Sequence, residues 1–597
     1  MLYNYYDLIN TGYKGGVTMK KVLIVCLILT MALLAFSKDF VVDEMFTKQE
    51  PKMGGEINLA LPGSPQSFNL YGSLDSHMYT VMLQILNPLV DMNNITKEVE
   101  PALAESWEVS PDGKEVIFHL RDVKWSDGHP FDADDVMFTL KYFAMNNKAE
   151  NNARGRFTFG GKLVEWEKID DMTIKAILPE PFGAFFITLT HVKIFPQHVL
   201  EPLVDKNALS SVNKIWTTDT PVEKIVGTGP FTMEQYTPDQ KFVLKKNPYY
   251  WKVDKWGNRL PYIDKLNFLI IADPEVRMAK FMSEEVDYTV LNPRDYPTLK
   301  YKELQGAPYR IFKAEPINPV PSPLHITFNL DTTNADLKEL FLNEDFRHAM
   351  EYALDRERII EDVYNMLAVK GGTPTLPSNS FYNPKIEDIR RSFDLTKASK
   401  ILDELGLKDT DNDGIRNLKN GKNLEIVFLT KTDQDYQEVA YLYSQDLKKI
   451  GVKLHLQLLD GNIALEKATA GNFEMAMLAF GNQPDPQLRK EIWQPGNPLY
   501  YNHTSTFDKQ NKKAIKENMY DWELRVYDLF DLGQSTMDQS KRREYYNEWQ
   551  EIYADKIPYI FVCKGMTLMG WNERVGNVYQ LKQDGPVIFT NWTIFVK

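Results

Sequence analysis

Residues 101–143 constrain the fold more than any other segment, because they combine two strand patterns, two turns and a helix start in one short stretch. A Pro-Asp-Gly turn at residues 111–113 separates two extended runs. In the second run, Val116, Phe118 and Leu120 alternate with Glu115, His119 and Arg121, which is the period of a half-buried strand. Asp132 stands at an N-cap position, with Asp135 three residues later. The segment therefore predicts an antiparallel ribbon that leads into a capped helix.

Residues 424–458 predict a different unit, in which two parallel strands are joined by a helix. Residues 424–429 are mostly apolar, as in a buried strand. Residues 436–450 carry an apolar face at helical spacing that Gly451 ends, and residues 452–458 then alternate as a second strand. Strand, helix and strand over this length require a right-handed crossover between parallel neighbours. We therefore expect an α/β fold.

Four blocks of the sequence resemble family 5 of the bacterial extracellular solute-binding proteins. The first is the 101–143 segment itself, with its Ser-Trp opening, Pro-Asp-Gly turn, Phe-x-Leu-Arg strand and Ala-Asp-Asp-Val helix start. The others are Gly-Thr-Gly-Pro-Phe at 227–231, Asn-Pro-Tyr-Tyr-Trp at 247–251, and residues 346–357 with Phe-Arg-His-Ala and Asp-Arg-Glu. Blocks that keep the family order are stronger evidence than a single motif. With the opening Gly-Gly-Glu-Ile at 54–57 and the late Pro-Asp-Pro at 484–486, the resemblance spans roughly residues 52–597.

The resemblance implies a two-lobed α/β fold of the type II periplasmic-binding-protein class, with an extra subdomain in the first lobe. We expect lobe I at residues 38–314, its extra subdomain at about residues 75–220, and lobe II at residues 315–555. The C-terminal segment, residues 556–597, is expected to return to lobe I. The residues themselves support a boundary at 315–323, since four prolines there exclude a helix or a central strand and favour a stiff connector.

Residues 19–37 have the three parts of a secretory signal peptide: a basic pair, a short apolar run and small residues before a cleavage site near Ser37. A retained anchor is disfavoured, because a membrane-spanning helix requires about 20 apolar residues. Residues 1–18 do not fit in front of such a signal. We interpret them as a mis-called start with Met19 as the true first residue; a short disordered extension is the alternative. The mature protein is expected in the periplasm or outside the cell.

The sequence offers little to a catalytic or a nucleic-acid-binding function. The formal net charge of -13 opposes a nucleic-acid partner, because phosphate backbones select basic surfaces. The motifs H-E-x-x-H, G-x-S-x-G, the Walker loop and C-x-x-C are absent from the sequence, and its nine histidines are dispersed. Cys563, the single cysteine beyond the signal segment, lies in a buried-strand pattern and is interpreted as a core thiol. We therefore expect neither enzymatic activity nor a cofactor.

A short acidic segment imitates the start of a calcium loop. Asp409, Asp411 and Asp413 have the spacing of the first three ligands of an EF-hand and are followed by a glycine. The twelfth position, which holds a bidentate Glu in an EF-hand, is Asn420. Because Asp and Asn also favour turns, a plain turn is the preferred interpretation, and a structural calcium site is the weaker alternative.

The resemblance places the ligand contacts chiefly on the loop after a predicted strand at residues 473–478, and strand ends are where α/β proteins commonly bind ligands. In peptide-binding members a carboxylate on this loop pairs with the α-amino group of the peptide. The matching position here is Asn482, and Asp485 either replaces that charge or caps the next turn. An amide also suits sugar hydroxyls, so oligopeptide and oligosaccharide ligands both stay open. The predicted contacts are Phe68, Asn69, Asn329, Phe480, Asn482, Gln483, Asp485 and Trp493.

From this resemblance we expect the substrate-binding protein of an ABC importer, a monomer that closes around a small-molecule ligand and docks on permease subunits. Closure through a hinge equilibrium requires no bond to be made or broken. A secreted hydrolase acting on peptides or glycans is the second hypothesis, and turnover of substrate would identify it. A ligand-sensing partner of a membrane receptor is the third; its fold would be the same.

Overall fold

The computed structural model of the protein describes residues 50–73, 75–93, 98–159, 162–315, 322–377, 379–481, 484–511, 513–580 and 587–597. The predicted start and signal peptide, residues 1–37, lie outside this set, as do Asn482, Gln483 and most of the proline-rich connector. Within the described residues, no helix combines the length and the apolar character that crossing a membrane requires.

The largest sheet has seven strands and joins the beginning of the described chain to its end. Glu56–Leu61 pairs in parallel with Lys265–Ile270 and with Tyr288–Val290, and the other pairs are antiparallel. Thr567–Asn572 inserts between Tyr288–Val290 and Tyr309–Ala314. In spatial order the strands are Phe231–Thr237, Lys241–Lys246, Lys265–Ile270, Glu56–Leu61, Tyr288–Val290, Thr567–Asn572 and Tyr309–Ala314.

The second sheet has five strands and contains the predicted crossover unit. Glu425–Lys431 and Lys453–Leu459 pair in parallel, and Gln434–Lys449 is the helix between them, so the predicted parallel pair with a connecting helix is confirmed. The helix buries one face against the sheet because its apolar residues recur at helical spacing; they are Val439, Ala440, Tyr443 and Leu447. In spatial order the strands are Lys453–Leu459, Glu425–Lys431, Met475–Leu478, His325–Phe328 and Tyr559–Phe561.

The ribbon predicted at residues 101–143 is confirmed as part of a four-stranded antiparallel sheet. Ala104–Val109 and Glu115–Leu120 pair on either side of the Pro-Asp-Gly turn. Gly113 has a φ of 69°, a left-handed conformation that glycine adopts without steric cost. In spatial order the strands are Ala104–Val109, Glu115–Leu120, Thr173–Ile177 and Glu165–Asp170.

The helix after this ribbon begins where its aspartates predict. Asp132 is the N-cap of Ala133–Thr139. Its Oδ1 accepts a hydrogen bond from the Asp134 amide at 2.9 Å, and its own amide donates to Asp135 Oδ2 at 3.2 Å. Asp135 is buried and also accepts a hydrogen bond from Trp125 Nε1 at 2.9 Å. The helix start is thus held both by its own cap and by a tertiary contact.

Short strand pairs and helices complete the described chain. The pairs are Val90–Met92 with Val99–Pro101, Thr158–Phe159 with Lys162–Leu163, Ala368–Lys370 with Cys563–Gly565, Phe507–Asp508 with Lys513–Ala514, Val575–Gly576 with Phe595–Val596, and Tyr579–Gln580 with Val587–Ile588. The other α-helices are Ser76–Met82, Phe185–Leu189, Gln197–Leu200, Pro274–Met282, Asp295–Leu304, Ala335–Leu342, Glu344–Tyr352, Arg356–Asp362, Ile386–Ile389, Leu395–Glu404, Gly461–Thr469, Lys490–Trp493, Asp521–Ser535 and Gln539–Lys556.

The chain changes from the five-stranded to the seven-stranded sheet near its C-terminus. Tyr559–Phe561 pairs with His325–Phe328 in the smaller sheet, and Thr567–Asn572 lies in the larger one. The change of sheet therefore comes after Phe561. Cys563 lies between these strands at 1 % exposure, and burial raises the pKa of its thiol to about 12. The predicted core thiol is confirmed, because such a group is protonated and inaccessible.

Candidate functional site

The loop after Met475–Leu478 continues into two short helical turns. Pro486–Arg489 forms a 3-10 turn and Lys490–Trp493 a single α-helical turn. Asn482 and Gln483, the predicted centre of the ligand site, lie outside the described residues, so their role stays a prediction. The remainder of the loop is anchored by a buried ion pair and by an aromatic cluster beneath it.

Asp485 is the charged anchor of this loop. It is 5 % exposed and caps the 3-10 turn, since its Oδ1 accepts a hydrogen bond from the Gln487 amide at 2.9 Å. The fully buried Arg542 donates to both carboxylate oxygens, from Nη1 to Oδ2 at 2.6 Å and from Nη2 to Oδ1 at 2.8 Å. Burial lowers the pKa of Arg542, but the Asp485 carboxylate outweighs that effect and raises the pKa above its usual value. The carboxylate of Asp485 is therefore paired inside the protein and caps the turn.

A chain of polar side chains leads from this ion pair to Lys490. Gln487 Oε1 accepts a hydrogen bond from the Tyr546 hydroxyl at 2.8 Å, and Gln487 Nε2 donates to Gln534 Oε1 at 2.9 Å. The same Gln534 oxygen accepts a hydrogen bond from Lys490 Nζ at 2.8 Å. Because Gln534 lies in the last turn of Asp521–Ser535, the network ties the loop to this helix. Buried networks whose members have partners hold their side chains in one geometry.

His325 is the centre of a buried aromatic cluster that supports the loop. The centroid of its ring lies 5.8 Å from that of Phe480 and 5.6 Å from that of Trp493. Its Nδ1 faces the Pro323 carbonyl at 3.1 Å, and its Nε2 faces the Tyr501 hydroxyl at 3.0 Å. Burial lowers the pKa of His325 to about 4, so the ring is neutral near pH 7. Phe480 and Trp493 thus belong to the packing beneath the loop; further rings around His325 are Tyr559 and Phe561.

A cavity of about 710 Å³ lies beside the loop, and its lining comes from two segments far apart in sequence, residues 152–182 and residues 487–534. Phe159 and Phe182 form one wall, with ring centroids 4.6 Å apart. A second cavity of about 660 Å³ adjoins the first; the residues common to both are Thr158, Phe159, Lys490 and Gln534. Volumes of this size accommodate ligands of several residues or sugar rings, and apolar walls with a few polar groups are typical of ligand pockets.

The two segments also touch beside the cavity. The Gly183 amide donates a hydrogen bond to the Gln534 carbonyl at 2.8 Å. A Cβ atom at Gly183 would lie 2.1 Å from the Thr536 carbonyl oxygen and 2.6 Å from Arg542 Cδ. Only glycine therefore permits this close approach of the two backbones.

Comparison with known proteins identifies the family. A sequence profile of the Bacterial extracellular solute-binding proteins, family 5 Middle, matches residues 98–492, about two thirds of the chain. The chain belongs to this family. The match confirms the resemblance noted in the sequence. Members of the family are substrate-binding proteins that work outside the cytoplasm.

Relatives extend the match over most of the chain. A probable ABC transporter-binding protein of Deinococcus radiodurans is 25 % identical over 581 residues, covering 95 % of this chain and 96 % of the relative. The periplasmic alpha-galactoside-binding protein of Rhizobium meliloti is 26 % identical over 574 residues, covering 90 % of this chain and 80 % of the relative. The structure of the oligopeptide-binding protein AppA from Bacillus subtilis in complex with a nonapeptide is also similar. It has a TM-score of 0.66 at 21 % sequence identity, and the match covers 92 % of this chain and 100 % of the AppA chain. The predicted α/β fold of two-lobed periplasmic binding proteins is thereby confirmed.

In this family 5 protein, three further predicted contacts are buried and engaged within the fold. Phe68 packs edge-on against Tyr236, with ring centroids 5.2 Å apart. The Asn69 side chain donates to a backbone carbonyl at 2.7 Å and accepts from a backbone amide at 3.0 Å. The Asn329 side chain donates to the carbonyls of residues 471 and 473 at 2.9 and 2.7 Å. None of the three is brought to the 710 Å³ cavity, and their role as ligand contacts stays a prediction.

The acidic segment folds as an exposed turn. The carboxylate oxygens of Asp409, Asp411 and Asp413 lie within 4.8 Å of one another. Asp409 Oδ2 accepts a hydrogen bond from the Gly414 amide at 2.9 Å, and Asp413 Oδ2 accepts one from Asn423 Nδ2 at 2.6 Å. These hydrogen bonds are those of a turn that Asp residues stabilise by themselves.

The two histidines that are buried among the described residues have structural partners. His325 is enclosed by the aromatic cluster. His503 Nδ1 faces Glu523 Oε2 at 2.8 Å, and its Nε2 lies 3.9 Å from Asp331 Oδ1. Both nitrogens of His503 thus face carboxylates, so this histidine is not placed to activate a nucleophile.

Sequence reasoning missed the residues that the structure brings to the cavity, namely Phe159, Phe182, Lys490 and Gln534, and it also missed Arg542. No motif marks them. The one available signal was position, because Lys490 lies five residues beyond Asp485 on the loop already singled out.

Proposed function

We propose that this protein captures a short oligopeptide or oligosaccharide and delivers it to the permease of an ABC importer. The observation that carries the proposal is the 710 Å³ cavity, lined jointly by residues 152–182 and 487–534. In the predicted organisation these segments belong to the extra subdomain of lobe I and to lobe II. A ligand in the cavity would therefore contact both lobes, which is the geometry that a closing binding protein requires.

Contacts that form only in the closed state convert ligand binding into closure. The hydrogen bond from Gly183 to the Gln534 carbonyl joins the same two segments. A ligand that touches both segments stabilises the closed form over the open form by its differential contacts, and the permease then selects that form. No covalent step is required.

The lobe boundaries enter this proposal as 38–314 for lobe I and 315–555 for lobe II, with a C-terminal return. The two large sheets support the division, because one uses strands between residues 56 and 314 together with Thr567–Asn572, and the other uses strands between residues 325 and 561. The return begins, in this proposal, after Phe561. We further propose an exported monomer whose signal peptide is cleaved near Ser37, which N-terminal sequencing of the secreted protein would test.

The ligand class is open between peptide and sugar on family grounds. Among the relatives, one is named for alpha-galactoside binding and another was solved with a nonapeptide. Position 482 is an amide, Asn482, where peptide-binding members have a carboxylate that pairs with the peptide amine. The residue at this position therefore does not favour a peptide over a sugar.

Mass spectrometry of the protein as isolated, followed by thermal-shift screening of peptides and oligosaccharides, tests the proposal. We expect an intact ligand that raises the unfolding temperature and is released unchanged. Turnover of a peptide or glycan by the purified protein would favour the hydrolase instead. Absence of stabilisation by both ligand classes would contradict the proposal.

A further inference from the structure

One side of the 710 Å³ cavity has an excess of positive charge, although the protein as a whole is acidic. Three cationic side chains line it, those of Arg156, Lys490 and Lys509, against a single carboxylate, Glu491. Glu491 is itself paired, since its Oε1 lies 3.0 Å from Arg489 Nη1. The charges that face the cavity without a counter-charge on its wall are therefore positive.

Lys490 is the cation best placed to meet a ligand. It is half-buried, lines both adjoining cavities and donates from Nζ to Gln534 Oε1 at 2.8 Å. Among the described residues no carboxylate lies within ion-pair distance of it. Burial lowers the pKa of Lys490, and the more distant acids Asp531, Glu491 and Glu180 oppose this only in part. An ammonium group in this position lacks part of its hydration and gains from a negative partner.

The geometry of Lys490 is prepared by the fold. Its acceptor, Gln534, also receives a hydrogen bond from Gln487, and the turn that carries Gln487 is capped by Asp485. Asp485 is held in turn by Arg542. A charge oriented in advance loses less conformational entropy when a ligand binds, which favours specificity at this point.

We propose that Lys490 is a specificity-determining residue that binds an anionic group of the ligand, a carboxylate or a phosphate. This inference rests on the proposed function and makes it more specific. Arg156 and Lys509 at the rim add positive potential, and the Phe159–Phe182 wall receives the apolar part of the ligand. A neutral oligosaccharide would leave the Lys490 ammonium group without a direct counter-ion in a partly desolvated site, with only the more distant acids to stabilise its charge, so it is the disfavoured ligand.

Matched probes test this inference on the mature protein freed of endogenous ligand. The pairs are the peptide Ala-Phe-Ala-Phe as free acid and as C-terminal amide, and trehalose phosphate with trehalose; raffinose is the neutral oligosaccharide. We expect calorimetry to show that the anionic member of at least one pair binds about tenfold or more tightly than its neutral partner. The pair that shows this preference identifies carboxylate or phosphate as the source.

Variants assign the preference to Lys490. Lys490→Met should abolish the advantage of the anionic probe, and Lys490→Arg should retain it. Lys400→Met, which removes an exposed lysine on Leu395–Glu404, should leave it unchanged. Thermal unfolding without probes checks that each variant is folded.

The outcomes separate this inference from the proposed function. Equal binding of the acid and neutral members, or a preference that survives in Lys490→Met, overturns the inference. Binding of raffinose alone, or a neutral ligand in the isolated protein, also overturns it and leaves the solute-binding role intact. If neither the probes nor any co-purified molecule binds, the proposed function itself fails.

Discussion

Two aspartates that begin turns, Asp485 and Asp409, show how burial decides what a carboxylate does in this protein. Asp485 is 5 % exposed and receives two charge-assisted hydrogen bonds from Arg542. Asp409 is exposed, and its neighbours Asp411 and Asp413 carry the same charge. In the sequence both read as turn residues with a ligand role as the alternative. A carboxylate that is buried together with a cation is paired inside the protein and has a structural role.

The largest effect is expected from breaking the buried pair. Asp485→Asn should lower the free energy of unfolding by about 3–5 kcal/mol, because Arg542 would keep a buried charge without its counter-charge. Urea-induced unfolding measures this change. Asp409→Asn is the matched control and should change the free energy of unfolding by less than about 0.5 kcal/mol. Equal losses in the two variants would show that burial does not distinguish these positions.

The second prediction extends the comparison to a buried base beneath the same loop. The pKa of His325 is about 4 in the folded protein against an ordinary value of 6.5. Between these values the unfolded chain binds a proton that the folded protein does not, so stability falls as the pH falls through this window. From pH 7 to pH 5, His325 should lower the free energy of unfolding by about 2 kcal/mol.

Urea unfolding at both pH values measures the His325 contribution. Between pH 7 and pH 5, the decrease in the free energy of unfolding should be about 2 kcal/mol smaller in His325→Gln than in the parent. His455→Gln, at an exposed histidine, should show the same decrease as the parent. An unchanged pH dependence in His325→Gln would contradict the assignment.

The third prediction concerns the contact of Gly183 with the helix that carries Arg542. Gly183→Ala should weaken binding of the co-purified ligand about tenfold, because a Cβ would lie 2.1 Å from the Thr536 carbonyl oxygen and oppose closure. Calorimetric titration measures the loss. Gly155→Ala, on the lining of the same cavity, meets no atom within 4 Å and should bind as the parent does. Similar affinities in both variants would argue against the closing contact.

The smallest effect is expected at the exposed acidic turn. Millimolar calcium should leave the unfolding temperature of the protein unchanged, because the carboxylates of Asp409 and Asp413 already bond within the turn. Differential scanning calorimetry with calcium and with a chelator measures this. A calcium-dependent rise that Asp411→Asn removes would establish a calcium site instead.

Local patterns predicted the elements that depend on neighbouring residues. The ribbon and capped helix of residues 101–143 follow from turn chemistry and period, and both are present. The crossover between Glu425–Lys431 and Lys453–Leu459 follows from one apolar helix face. The pairing of Tyr559–Phe561 with His325–Phe328, after which the chain changes sheet, leaves no local mark in the sequence.

The cavity was beyond sequence reasoning for a physical reason. Phe159 and Lys490 line it together although they are more than 300 residues apart, and neither carries a motif. Asp485 was ambiguous in the sequence, since a cap and a ligand contact use the same carboxylate. Its pairing with Arg542, 57 residues away, is visible only in the folded chain.

The sequence by itself determined the α/β class, the family, the main local elements and the inert cysteine, because these depend on periodicity, turn residues and ordered blocks. The tertiary structure alone decided which charges are satisfied and which face a cavity. Lys490 and Asp485 illustrate the reason: the energy of an ionisable group depends on its burial and its partners, and both are set by chain segments that only folding brings together.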